Sequence, residues 1–113
     1  MLEKVTERIY YLMNDNKSER PALGIIKGDD CCMVFDAGNS PTHADILLSE
    51  IEKMNFPPVK YVVVSHHHWD HLFGLDRFDN IKIASIRTYE LSEIYKGIKI
   101  DESSLETAKK DKI

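Results

Sequence analysis

The chain has little cysteine, little glycine or proline, no long hydrophobic run and no excess of basic charge. Each shortage removes a class of protein from consideration. The two cysteines, Cys31 and Cys32, are adjacent. Neighbours in a strand point to opposite faces, so they make a poor mutual disulfide, and no C-x-x-C spacing offers a thiolate metal site. With so few glycines and prolines there is no flexible or Pro-rich linker and no low-complexity segment. No apolar run approaches the ~20 residues of a membrane span. Met1-Leu2-Glu3-Lys4-Val5 lacks the charged-then-apolar layout of a signal peptide. Net charge is −4, which leaves no general basic footprint for nucleic acid or an anionic membrane surface. The expectation is a cytoplasmic, reduced protein with no nucleic-acid and no membrane partner. The rest of the composition is ordinary, 42% hydrophobic and 30% charged, and supports one compact domain over residues 1–113.

Against that background one stretch stands out: Tyr61-Val62-Val63-Val64-Ser65-His66-His67-His68-Trp69-Asp70-His71, running on into Leu72-Phe73-Gly74. Four of the five histidines lie here, so imidazole is concentrated at one place in the chain. Val59 to Val64 reads as a short buried strand, rich in β-branched residues and bounded by Pro57-Pro58. A strand that stops and at once presents imidazoles and a carboxylate delivers ligands from a rigid support. Residues two apart in an extended segment point the same way, so His66 and His68 are expected to converge while His67 turns away. Asp70 and His71 come next, where the chain bends into a helical turn, and can reach a second point beside the first. Neutral imidazole with carboxylate suits zinc, and also manganese, iron or nickel. A histidine tag would be terminal and would not follow a buried strand.

This H-x-H-x-D-H pattern, after a hydrophobic strand and before Leu-Phe-Gly, resembles the metallo-β-lactamase superfamily. Position by position, the resemblance implies that His66 and His68 are ligands of a first metal and that Asp70 and His71 are ligands of a second. It implies Zn2+, one or two ions, with Fe or Mn as alternatives. A bound zinc brings the pKa of its water to about 7 and so supplies hydroxide at neutral pH. In the family the residue matching Asp70 orients that nucleophile, which makes Asp70 the expected catalytic residue. The run Asp36-Ala37-Gly38 matches the family's first motif, so Asp36 is expected to lie beneath the metal loop and hold its histidines in place. Taken alone, an aspartate at a strand end is more often a turn residue. The implied fold is α+β: half of an αββα sandwich, a mixed sheet with helices on one face. The whole sandwich is built from two similar halves. Residues 1–113 are accordingly expected to be the N-terminal half of such a domain, with the C-terminal half absent.

The remaining segments fit that outline. Thr6 to Met13 carry Ile9, Tyr10, Tyr11 and Leu12, a first strand that ends in the turn-prone Asn14-Asp15-Asn16. Ala22 to Lys27 and Cys31 to Phe35 read as a hairpin joined by Gly28-Asp29-Asp30. Ser40-Pro41 reads as a helix start, with serine as N-cap and proline at the first helical position. Ala44, Leu47, Leu48, Ile51 and Met54 then fall at helical spacing and predict a core-facing stripe. His43, in the first turn of that helix, is expected to face solvent. After the histidine loop, Leu75 to Phe78 suggests a short helix and Ile81 to Ile86 a strand. Tyr89, Leu91, Ile94 and Tyr95 suggest a helix that ends near Gly97. The tail from Asp101 is charged and thin in apolar residues, a surface helix or a frayed end.

The ligand inventory is short. Four candidate ligands divide into two per ion, whereas a hydrolytic zinc holds three protein ligands and one open position. Family members draw a further His, a bridging Asp and a final His from later in the chain. After His71 this sequence has no His and no Cys, and Asp76 and Asp79 stand too near the motif to match those positions. Three readings remain: a fragment or truncated gene product, a chain that pairs with a second copy, or a non-catalytic remnant. His71 has a bearing on subclass, because many true β-lactamases of the family carry arginine there while glyoxalase-II-like thioesterases carry histidine. His68 stands where the flavodiiron-like oxidoreductases have glutamate. The expected function is a metal-dependent hydrolase of a small ester, thioester or lactone, by metal-bound hydroxide, in a chain incomplete for catalysis alone. The alternative is a non-catalytic metal-binding or scaffold half-domain that self-associates. The expected partners are a small-molecule substrate and either a second copy, as a homodimer, or the missing half.

Overall fold

A computed structural model describes residues 1–95. Four strands, β1 (Leu2–Lys4), β2 (Ile9–Leu12), β3 (Leu23–Lys27) and β4 (Cys32–Phe35), run as an antiparallel meander. The chain then crosses through α1 (Pro41–Lys53) to β5 (Val59–Val63), which pairs parallel with β4. A second crossover, through α2 (Trp69–Leu72) and a 3-10 turn at Leu75–Arg77, leads to β6 (Ile81–Ile83), parallel to β5. Beyond β6 come α3 (Ile86–Ser92) and a 3-10 turn at Glu93–Tyr95. The six strands lie in the sheet in chain order. This is the α+β half-sandwich that the sequence implied, a mixed sheet with helices.

Local chemistry accounts for these elements. In the β3–β4 hairpin the Gly28 N–H donates to the Cys31 carbonyl at 2.9 Å, and a Cβ on Gly28 would stand 2.6 Å from that oxygen. Only glycine allows so close an approach. At the start of α1 the Ser40 hydroxyl accepts from the His43 N–H at 3.1 Å, with Pro41 in the first turn. Such a cap contributes about 1 kcal/mol to the helix. Ala44, Leu47 and Ile51 are buried along the predicted stripe and Leu48 packs beside them. Met54 instead terminates the helix and is exposed. The stripe lies on the sheet side formed by Tyr10, Leu12, Leu23, Ile25, Val34 and Val62, and Phe78 joins the same core.

Several sequence expectations change. A short strand, β1, precedes the first predicted one and pairs with it, so that Leu2 is buried against Leu12. β6 is shorter than Ile81 to Ile86, because Ser85 leaves the sheet to cap α3 and accepts from the Thr88 N–H at 3.1 Å. β5 is buried on one side only: Val62 is fully covered, while Val59, Tyr61 and Val63 are half-buried. His43 does not face solvent. It is 1% exposed, because the helix start folds back under Gly38 and Asn39. The helix end near Gly97 and the tail from Asp101 lie outside the described residues.

Candidate metal centre

The two parallel strands β4 and β5 end side by side, and the candidate site is built from the segments just beyond their C-terminal ends. After β4 comes Asp36, held there by its N–H donating to the Val63 carbonyl at 2.7 Å. Asp36 takes φ +68 and Gly38 takes φ +92. The first is a left-handed conformation, uncommon for a side-chain-bearing residue and tolerated best by Asp and Asn. The tight turn tips the Asp36 carboxylate inward, under the loop that leaves β5. On that loop Ser65, His66, His67 and His68 leave the sheet, His68 caps the single turn of α2, and Asp70 and His71 lie within the turn. Two backbone contacts clamp the turn to the Asp36 segment: Ala37 N–H to the His71 carbonyl at 3.0 Å and Gly74 N–H to the Gly38 carbonyl at 3.2 Å. A Cβ on Gly74 would run into the Ala37 carbonyl and stand 2.9 Å from the Ala44 methyl. Glycine at position 74 is what lets α2 sit this low.

Asp36 is the node of a hydrogen-bond network. Its Oδ1 accepts from the Ser65 N–H at 2.7 Å, and its Oδ2 accepts from the Ser65 hydroxyl at 2.8 Å and from His71 Nδ1 at 2.7 Å. The Ser65 hydroxyl has one proton and gives it to Asp36, so at 2.8 Å it accepts from His66 Nδ1. In their neutral forms both histidines therefore carry the ring proton on Nδ1 and leave the Nε2 lone pair free. The expected role of Asp36 rested on the family motif; the geometry supplies its means, an anionic acceptor reaching His71 directly and His66 through Ser65. Ser65 was not singled out from the sequence. Its signal was only its position, a hydroxyl between a strand end and the first histidine.

The charges are set by the same contacts. Burial by itself would raise the Asp36 pKa, but hydrogen bonds from His71 and Ser65 outweigh it and hold the carboxyl below its usual value. Burial disfavours a charged His71, but the Asp36 hydrogen bond and the fields of Asp36 and Asp70 raise its pKa. His66 is shifted down, first by burial and then by the neighbouring His71 and His68. His66 thus tends toward the neutral, ligating form.

The four candidate ligands are gathered. Ring centroids of His66 and His71 are 4.1 Å apart and those of His66 and His68 are 4.6 Å apart. His71 Nε2 lies 3.7 Å from Asp70 Oδ2. The rings of His66 and His68 stand side by side, edge to face. His67, expected to turn away, is half-buried with its ring 5.0 Å from that of His68. His71 also lies beside His66, so the two predicted pairs are neighbours. Among the described residues, no three His, Cys, Asp or Glu side chains are already closed around one ion-sized point. The donor set nonetheless fits a divalent ion of zinc type: imidazoles with free Nε2 atoms, a carboxylate beside them, and a partner holding the far nitrogen. A neighbouring cleft of about 540 Å³, lined by Val64, Leu72, Lys82, Ala84, Thr88 and Tyr89 among others, includes none of the four ligands in its wall.

A family model described as the metallo-beta-lactamase superfamily matches residues 23–106. The chain belongs to the metallo-beta-lactamase superfamily. A linear primary-alkylsulfatase of Pseudomonas sp. (strain ATCC 19151) is 28% identical over 68 residues, 58% of this chain and 13% of the sulfatase. MEM-A1, a subclass B3 metallo-beta-lactamase isolated from a soil metagenome library, superposes with a TM-score of 0.64 at 21% identity. That match covers 80% of this chain and 34% of MEM-A1. This superfamily member thus spans about a third of that solved relative and a smaller part of the sulfatase.

Proposed function

We propose that this chain holds a divalent metal, zinc before iron or manganese, through His66, His68, Asp70 and His71, and serves metal-dependent hydrolysis of a small ester, thioester or lactone. The observation that carries the reading is the Asp36 network, which leaves Nε2 of both His66 and His71 free and fixes their planes from behind. Nothing in ordinary packing requires a buried carboxylate to be spent on two histidine tautomers. A bound ion of this type polarises a carbonyl oxygen and acidifies a coordinated water. Asp36 keeps His71 and, through Ser65, His66 in the ligating tautomer. Asp70, whose Oδ2 lies 3.7 Å from His71 Nε2, would hold the ion with the histidines and would accept a hydrogen bond from the nucleophilic water, orienting it. The beta-lactamase and alkylsulfatase named among the relatives support the hydrolase class; the choice of a carboxylic ester, thioester or lactone rests on His71 in place of arginine.

Zinc titrated calorimetrically into chelator-stripped protein tests the ligand set. Binding should be present in the parent and lost in His66→Ala/His68→Ala; equal affinity in the two proteins would remove the assignment. Turnover on an ester, thioester and lactone panel should require added metal and vanish in Asp70→Ala. A second reading, a non-catalytic metal-binding half-domain, is favoured by one observation: four ligands shared between two ions leave each with only two. In that case metal binds as before and hydrolysis stays at background on the whole panel.

A further inference from the structure

The turn that carries Asp70 and His71 rests on a small apolar group of its own. Val64, Trp69, Leu72 and Phe73 are buried together, apart from the main core, and Tyr95 packs against them from the 3-10 turn that follows α3. The Trp69 and Phe73 rings lie 5.9 Å apart, four positions along one side of the helical turn. Tyr95 meets Phe73 edge to face, with ring centroids 5.1 Å apart. Packing accounts for the Tyr95 ring. It does not account for the hydroxyl.

The Tyr95 hydroxyl oxygen is buried and has no hydrogen-bond partner among the described residues. Burial raises its pKa; the Trp69 N–H faces the oxygen without closing a hydrogen bond and lowers it, and the Asp70 charge raises it further. A buried hydroxyl left unpaired has given up its bonds to water and gained none in return. Phenylalanine would make the same ring contact with Phe73 without that loss. The oxygen is already enclosed, so it differs from an open surface waiting for cover. A phenol at neutral pH keeps its proton and can donate it to an acceptor. A charged acceptor lies on the same turn: Asp70, whose Oδ2 stands 3.7 Å from His71 Nε2.

We propose that Tyr95 is a positioning residue for the metal centre: its hydroxyl donates to the Asp70 carboxylate when an ion is held, and so fixes that carboxylate beside the histidines. The inference rests on the metal reading above and extends it, giving Asp70 a support of the kind that Asp36 gives His66 and His71. In the metal-free chain the bond is not made. Carboxylates that bind metal are themselves hydrogen-bonded, and losing such a partner typically costs about 10–100-fold in metal affinity.

Tyr95→Phe keeps the ring and removes only the oxygen. In metal-free protein its urea midpoint should equal or exceed that of the parent, because no bond is broken. Zinc titrated calorimetrically should bind Tyr95→Phe about tenfold more weakly than the parent. NMR of tyrosine labelled with carbon-13 at the ζ position reads the bond itself. The Tyr95 resonance, assigned by its absence from Tyr95→Phe, should move downfield when zinc is added to the parent, as for a phenol that becomes a donor to a carboxylate. A lower metal-free midpoint for Tyr95→Phe would show the hydroxyl already bonded. Zinc affinity within twofold of the parent would show that it does not serve the site. Either result overturns the proposal, as does an unmoved Tyr95 resonance. Failure of zinc to bind the parent, or equal binding in His66→Ala/His68→Ala, would remove the metal reading and this inference with it.

Discussion

Asp36→Asn is the sharpest perturbation of the candidate site, because it keeps shape and backbone while removing charge. Asparagine adopts the left-handed conformation at φ +68 as readily as aspartate, so no strain is introduced. Its amide oxygen can still accept from the Ser65 N–H. The second carboxylate oxygen, which accepts from both Ser65 and His71, becomes an NH2 group. That donor faces the Nδ1–H of His71, and the conflict is relieved only if His71 moves its proton to Nε2, the nitrogen that would bind metal. Hydrogen bonds to a charged group contribute about 1.5–3 kcal/mol each; two are lost, and the cheaper burial of a neutral amide offsets part of the loss. The net expectation is a destabilisation of about 2–3 kcal/mol, or roughly 10 °C in Tm for a domain of this size. The pH window has two edges. Asp36 has a lowered pKa, so its contribution is present above the unfolded value of 3.8 and disappears as pH falls through the folded one. His71 has a raised pKa, so its contribution is present below the unfolded value of 6.5 and disappears as pH rises through the folded one. In metal-free protein the difference between parent and variant should therefore be greatest between about pH 4 and 6.5 and shrink at higher pH. Urea unfolding at pH 5.5 and 8.5 measures the stability term, and zinc calorimetry should show a loss of about 10–100-fold in affinity. Equal unfolding midpoints at pH 5.5, together with zinc affinity within twofold of the parent, would refute the role assigned to Asp36.

Leu47 is fully buried between α1 and the sheet, so Leu47→Ala should cost about 2–5 kcal/mol in urea unfolding without altering zinc stoichiometry. Gly74→Ala should lower stability and weaken zinc binding together, because the added methyl meets the Ala37 carbonyl and lifts α2; a calorimetric trace matching the parent would show that the turn has room. His43 has its pKa pushed down to about 4, first by burial and then by the Arg20 cation. Its unfolded value is 6.5, so folding excludes a proton that the unfolded chain takes up, and stability should fall by up to about 3 kcal/mol as pH drops from 6.5 to 4. His43→Leu should flatten that part of the curve in chemical denaturation at stepped pH, and an unchanged slope would rule out His43 as its source.

Much of this protein is local and so could be read in advance. The Ser40-Pro41 cap, the helical stripe from Ala44 to Ile51, the hairpin turn at Gly28 and the strand that precedes the histidines each depend on neighbours within a few residues. The same holds for the ligand types, since His66, His68, Asp70 and His71 come from six consecutive positions. Residues brought together from a distance were less legible. His43 was expected to face solvent because it stands in the first turn of α1, yet it falls four residues before Leu47 on the buried stripe, and Gly38 and Asn39 close over it. Ser65 drew no notice because a lone serine after a strand has many uses, and its function exists only once Asp36 arrives from 29 positions away. Asp36 meets His71 across 35 positions, and no local pattern encodes which ring nitrogen keeps its proton. By itself the sequence determined the chemistry on offer: a strand-borne cluster of imidazole and carboxylate, on an α+β half-sandwich. The tertiary structure alone decided how that chemistry is presented, because tautomers are set by hydrogen-bond partners and an apolar face is open or covered according to which elements pack on it. Alternation along β2 to β4 is largely apolar on both faces, and only the crossover through α1 decided which face it covers.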